Sequence, residues 1–186
     1  GGDGHHLLTT YLQALTMLPP EVNLTSLVIG GPELPAAKKP ALLQQIAATP
    51  HAHWLDYTDD LASYMVAANA VVSMGGYNTV CEILSLGKRA VVVPRTQPVQ
   101  EQWIRAKRMA EMGLFQTIHP DRLTPEGLAA ALMAQLTTQP NQPTGAIDMD
   151  ALPRITNLLR ELLQPQPRWL EPVPTRSFPQ VEVAVQ

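Results

Sequence analysis

The stretch that most limits the folds open to this chain is Val71-Val72-Ser73-Met74-Gly75-Gly76-Tyr77-Asn78-Thr79-Val80-Cys81-Glu82-Ile83-Leu84, where a short apolar run meets a Gly-Gly pair and then a helical pattern. Residues 70–74 have the length and β-branching of a buried strand, and Gly75-Gly76 lets the backbone turn sharply with φ free to be positive. Asn78 or Thr79 is expected to cap the helix that follows. A helix that starts at a strand's carboxyl end presents unpaired first-turn N–H groups and the positive end of its dipole. Anionic ligands sit at such ends in open α/β sheets. The turn is therefore a candidate phosphate site. Glu82 has two open roles, as the capping-box partner of Thr79 or as an acceptor-only carboxylate suited to sugar hydroxyls, and spacing does not separate them.

With 186 residues, 45% of them hydrophobic, the chain can bury one good core. A net charge of −3 offers no basic footprint for nucleic acid, and 5% aromatic residues leave few platforms for stacking single strands. The single cysteine, Cys81, rules out an internal disulfide and suits a reducing cytosol, so a cytoplasmic protein is expected. No apolar run approaches the roughly 18 residues of a membrane span. The chain opens Gly1-Gly2-Asp3-Gly4, and a glycine-rich turn needs an element before it. A strand, or a whole domain, is expected upstream of residue 1.

Along the chain, strand and helix patterns alternate. Leu7, Leu8, Tyr11, Leu12, Leu15 and Leu18 recur at helical spacing until Pro19-Pro20 stops them. Residues 24–29 read as a strand closed by Gly30-Gly31-Pro32, residues 36–48 as a helix after the Lys38-Lys39-Pro40 interruption, and residues 51–57 as a second strand. Thr58-Asp59-Asp60 provides an N-cap for a helix over 61–69. After the Gly75-Gly76 unit, Gly87 ends the helix. Residues 90–93 are a β-branched run of the kind found in an interior parallel strand covered on both faces. Pro94-Arg95-Thr96-Gln97-Pro98 follows as a loop beside the Gly-Gly turn, if those two strands are neighbours. Gln100-Glu101-Gln102 opens a helix that buries Trp103, Ala106, Met109 and Ala110 and leaves Arg105, Lys107 and Arg108 outside. A last short strand lies within 113–119, a helix with Pro125 in its first turn runs to 137, and another spans 150–163. Prolines accumulate from residue 164, which reads as a tail or linker, with a weak edge-strand pattern at 181–185. The expected domains are 1–163 and 164–186.

Metal sites find little support. His51 and His53 lie on one face of a strand without a third ligand, and capping accounts for part of the Asp56, Asp59, Asp60 group. No metal and no cofactor is expected.

Taken with Val91-Val92-Val93-Pro94-Arg95 and Gln100-Glu101-Gln102, the Gly-Gly-Tyr-Asn-Thr-Val-Cys-Glu-Ile-Leu stretch resembles the C-terminal, donor-binding half of GT-B glycosyltransferases. The resemblance is to predicted bacterial glycosyltransferases related to the lipid II-forming N-acetylglucosaminyltransferase, covers residues 1–137 and is strongest over 54–114. It implies an α/β fold, a Rossmann-like parallel sheet with helices on both faces, one half of a GT-B fold. It also implies a donor site for a nucleotide diphosphate sugar, UDP-sugar first. Gly2, Asp3 and Gly4 match the glycine loop near the diphosphate, and Tyr57 and Thr58 stand where backbone groups meet the base. Gly75, Gly76, Tyr77, Asn78 and Thr79 match the phosphate-side loop and helix start. Glu82 matches the ribose-binding carboxylate, and Gln100, Glu101 and Gln102 the region that contacts the sugar. The family commonly carries Ser or Arg in the turn where Met74-Gly75-Gly76-Tyr77 stands here.

A hexosyltransferase half is thus expected, with Arg95 and helix-end amides stabilising the leaving diphosphate. The acceptor-binding N-terminal domain and any general base are expected outside this chain. Two other functions are compatible with the residues: a nucleotide-sugar epimerase or hydrolase of the same architecture, and a non-catalytic nucleotide-sensing module that docks a partner through its Pro-rich tail.

Overall fold

Local stop and start signals set most element ends. In the computed structural model, which describes residues 4–137 and 151–163, the strands are β1 (Ser26–Ile29), β2 (Ala52–Leu55), β3 (Ala70–Ser73), β4 (Arg89–Val92) and β5 (Gln116–Thr117). The helices are α1 (Gly4–Leu15), α2 (Lys39–Ala48), α3 (Leu61–Ala67), α4 (Tyr77–Ser85), α5 (Glu101–Glu111), α6 (Pro125–Thr137) and α7 (Ala151–Leu163). Pro40 explains why the helix expected from residue 36 begins at Lys39, after a 3-10 turn. Proline fits a first turn, where its missing N–H has no acceptor to lose. Asp60 caps α3, its Oδ1 accepting from Ser63 N at 3.2 Å. Helices α4 and α5 end alike, on Gly87 (φ 58) and Gly113 (φ 75). In each, two amides past the helix bond back to its last carbonyls, Lys88 N to Ile83 O at 2.9 Å and Leu114 N to Met109 O at 3.1 Å.

Every strand pair is parallel, as the helical crossovers require. Where one sheet was expected, the strands form two: β1 with β2, and β3-β4-β5. Among the described residues no hydrogen bond joins β1 to β3. Apolar packing on α1 holds the two sheets together instead. Leu12 packs with Val28, Leu42 and Ile46 of the β1-β2 half, and Leu7 and Ala14 pack with Val91, Val93 and Leu128 of the other. Tyr11 touches both groups, and its hydroxyl meets Ser26 Oγ at 2.8 Å; burial pushes its pKa up.

Strand β4 and the residue after it show why a β-branched run marks an interior strand. Val91 and Val93 face α1 and α6, while Ala90 and Val92 face Val80, Ile83 and Ala106 of α4 and α5. Its first residue, Arg89, reaches the end of α6 and donates to the carbonyls of Gln135 and Leu136 at 3.0 and 3.1 Å.

The chain divides into two compact units, Gly1–Ala146 and Ile147–Gln186. In the second, α7 carries Leu152, Ile155, Leu158, Leu159 and Leu162 at helical spacing. Gly2 and Asp3, the loop at 140–145, the tail from 164 and the edge strand expected at 181–185 lie outside the described residues. Among those that are described, no helix is long and apolar enough to cross a membrane.

Two measurements test this account. Ile83→Ala empties a fully buried site between α4 and β4 and is expected to cost about 2–5 kcal/mol in denaturant unfolding. Hydrogen bonds from Ser63 hold the exposed Asp60 carboxyl below its usual range, so its contribution to folding is complete at neutral pH and fades as pH falls through the folded-state pKa. Asp60→Ala should therefore lower Tm at pH 7 and lose that effect in strong acid. An equal Tm deficit at both pH values would deny the cap its role.

Candidate functional site

Parallel pairing of β3 with β4, Ser73 opposite Val92, sets the two following loops side by side. Gly75 is buried there: a Cβ on it would stand 2.9 Å from Pro94 Cβ and 3.2 Å from Pro94 Cα, too close for any side chain without movement. Gly76, not Asn78 or Thr79, is the N-cap of α4, with φ −58° and ψ 144° and no side-chain cap bond. Asn78 and Thr79 lie inside the first turn, because the Gly-Gly backbone reaches helical geometry two to three residues earlier than the amide and hydroxyl side chains suggested. A Thr79–Glu82 capping box is therefore not formed. Glu82 sits in the second turn, one turn below Thr79, half-buried and with no hydrogen bond to its carboxylate among the described residues.

The first amide of α4 with an acceptor within the helix is that of Val80, to Gly76 O at 3.0 Å. The N–H groups of Tyr77, Asn78 and Thr79 have no backbone acceptor among the described residues. Their surroundings are open: Asn78 is exposed, and Tyr77 is 67% exposed. Partial positive charge is thus presented to solvent on one rim.

Loop residues after β4 and the start of α5 complete that rim. Arg95 N donates to Gln102 Oε1 at 3.2 Å, which fixes the loop while the guanidinium, half-exposed, has no hydrogen-bond or ion-pair partner among the described residues. Gln100 is the exposed N-cap of α5. Glu101 pairs with Arg105 one turn on. Arg105, expected on the outer face, instead turns inward. Its side chain is 17% exposed, Nη2 donates to Gly75 O at 2.7 Å, and the guanidinium lies 5.5 Å from the Tyr77 ring centroid. Only the Glu101-to-Arg105 spacing in the sequence hinted at this residue, and that spacing is common on solvated helices.

Contacts therefore join Gly75, Gly76, Tyr77, Arg95, Glu101, Gln102 and Arg105 in one place. Gly4, the first residue of α1, approaches it from the side: a Cβ there would lie 3.7 Å from Met74 Sδ. Tyr57 and Thr58 stand past β2, on the other sheet. Tyr57 is 60% exposed, and Thr58 Oγ1 accepts from Asp60 N at 3.1 Å. Asp56 is engaged by Lys39 Nζ at 2.6 Å and Trp54 Nε1 at 2.8 Å, bonds that hold its carboxyl below the usual range. Among the described residues no three His, Cys, Asp or Glu side chains gather as a metal would need. A shallow depression lined by Asn69, Lys88 and Arg89 lies at the amino ends of β3 and β4, away from this rim.

Comparison with known proteins finds relatives at family level. The model of the glycosyltransferase family 28 C-terminal domain matches residues 13–153. Two similar proteins are named UDP-N-acetylglucosamine--N-acetylmuramyl-(pentapeptide) pyrophosphoryl-undecaprenol N-acetylglucosamine transferase. That of Histophilus somni is 25% identical over 71% of this chain and 37% of its own length. That of Haemophilus influenzae (strain PittEE) is 32% identical over 41% of this chain and 22% of its own length. The chain thus spans well under half the length of these curated relatives. Among solved structures, Acinetobacter baumannii MurG superposes with a TM-score of 0.67 at 22% identity, covering 87% of this chain and 47% of that one. The glycosyltransferase VinC in complex with DTDP gives 0.54 at 18% identity, covering 73% and 32%. These structures share the fold, that of GT-B glycosyltransferases.

Substituting Gly75 tests the packing of the two loops. Gly75→Ala drives a methyl into Pro94 and is expected to cost about 1–3 kcal/mol, read as a fall in the denaturation midpoint. A midpoint equal to that of the wild type would show that the loops are not in contact.

Proposed function

We infer that this chain, which belongs to the glycosyltransferase family 28 C-terminal domain family, is the donor-binding part of an enzyme that moves a sugar from a nucleotide diphosphate sugar to an acceptor. The observation that carries the inference is the open first turn of α4. Three amides without backbone acceptors and an Arg95 guanidinium without a partner, both among the described residues, stand on one rim, at the carboxyl end of a parallel strand. A diphosphate is the natural occupant, since its oxygens accept from several donors at once.

As the bond between sugar and diphosphate breaks, negative charge grows on the leaving phosphate. Fixed amide dipoles and Arg95 meet that charge without having to reorganise, which lowers the barrier more than it tightens ground-state binding. Glu82, an acceptor-only group one turn further along α4 with no competing hydrogen bond among the described residues, is assigned to the ribose hydroxyls. Tyr57 and Thr58 are assigned to the base, and Gln100, Glu101 and Gln102 to the sugar. The donor proposed is a UDP-sugar, because the names of the similar proteins specify UDP-N-acetylglucosamine. Activation of the attacking hydroxyl is assigned to a group outside this chain, in an acceptor-binding domain of the parent protein. Work in the cytoplasm accords with the free thiol of Cys81.

Calorimetric titration of the chain with UDP, GDP and dTDP tests the reading: heat with UDP is expected, and silence with all three would end it. Glu82→Ala should weaken UDP binding by about 1–3 kcal/mol with little change in Tm. Unaltered affinity would remove the ribose assignment. In the parent protein, loss of label from a UDP-sugar should require acceptor; loss without acceptor would mark a hydrolase instead, and conversion to an isomeric UDP-sugar that keeps its label would mark an epimerase.

A further inference from the structure

Arg105 is a mostly buried cation that the donor-site assignment leaves without a task. Burying a guanidinium is costly unless its donors are used, yet Nε is buried with no acceptor among the described residues. Its partner Glu101 is on the surface, where an ion pair contributes little. The specific contact is the one to Gly75 O, at 2.7 Å and 30 residues away in sequence. That carbonyl belongs to the peptide joining Gly75 to Gly76. With no Cβ on either side, this is the peptide of the turn least restrained against rotation of its plane.

In a trans peptide the C=O and the following N–H point in opposite directions. A carbonyl of Gly75 drawn toward α5 therefore turns the Gly76 N–H away from α5. Rotation the other way would place a carbonyl oxygen where an anion is to bind. We propose that Arg105 is a positioning residue of the diphosphate site: by holding Gly75 O it locks the Gly75-Gly76 peptide so that the Gly76 amide joins those of Tyr77, Asn78 and Thr79 as a donor. The guanidinium resting on the Tyr77 ring steadies the next residue of the same turn. Glu101 in turn holds the guanidinium.

The inference rests on the donor-site reading, and its test separates the two. On the 186-residue chain, affinities for UDP and for uridine are measured by NMR titration for the wild type, Arg105→Met and Arg105→Lys. Methionine keeps the apolar stem of the side chain without a donor, and UDP binding should weaken about tenfold while uridine binding stays unchanged. Lysine keeps a charged donor group that can serve the one carbonyl, and should stay within about threefold of the wild type. A wild-type chain that takes up no UDP overturns the donor site and the lock together. Wild-type UDP binding that Arg105→Met leaves intact, or lowers in the same ratio as uridine binding, overturns the lock alone. Should Arg105→Met not fold, the Gly76 amide resonance decides. It should shift on UDP addition in the wild type and in Arg105→Lys, and a resonance that does not move in the wild type overturns the proposal.

Discussion

Side-by-side pairing of β3 and β4 is the constraint from which the rest of the candidate site follows. Four residues on each strand are in register, and the pairing continues one step further, where Val93 N donates to Ser73 O at 2.9 Å. Past that bond no further backbone hydrogen bond joins β3 to β4 among the described residues, and their two loops pack against each other. The absence of a Cβ at Gly75 lets Pro94 close to van der Waals contact. Helix α4 then begins with its amides facing solvent. Had the turn needed a side-chain cap, a hydroxyl or carboxylate of the protein would occupy the amides that are now free.

The β4 register also serves the core. Alternate residues from Ala90 to Val93 enter two different apolar clusters, so this short segment ties the α1-α6 layer to the α4-α5 layer. Helix α1 joins the β1-β2 half by the same means. Its Leu12 and Leu7 face different clusters, and Tyr11 belongs to both. Dispersion and apolar burial, which need no particular direction, can bridge two sheets that hydrogen bonds do not connect.

Charge around the turn is arranged in a chain of contacts. Glu101 holds Arg105, Arg105 holds Gly75 O, and Gln102 holds the Arg95 amide. Two of the three polar residues expected to reach toward a sugar thus also contact the protein itself. Each such bond restrains a loop at a strand end, where backbone freedom is greatest.

The sequence alone determined whatever depends on residues close together along the chain. Helical and strand periods, the glycine stop at Gly87, the proline interruption before α2, a cap within Thr58-Asp59-Asp60 and the glycine turn at Gly75-Gly76 are all set within a few bonds of where they act. So is the character of residues 90–93, since only a strand covered on both faces tolerates an unbroken apolar run. Only the tertiary structure decided the inward turn of Arg105, the cap at Gly76 rather than at Asn78 or Thr79, and the division of the strands into two sheets. Each depends on partners brought together across the fold, 30 residues apart in the case of Arg105 and Gly75. Which side of a helix meets a carbonyl is settled by how neighbouring elements dock, and no local pattern of residues carries that information.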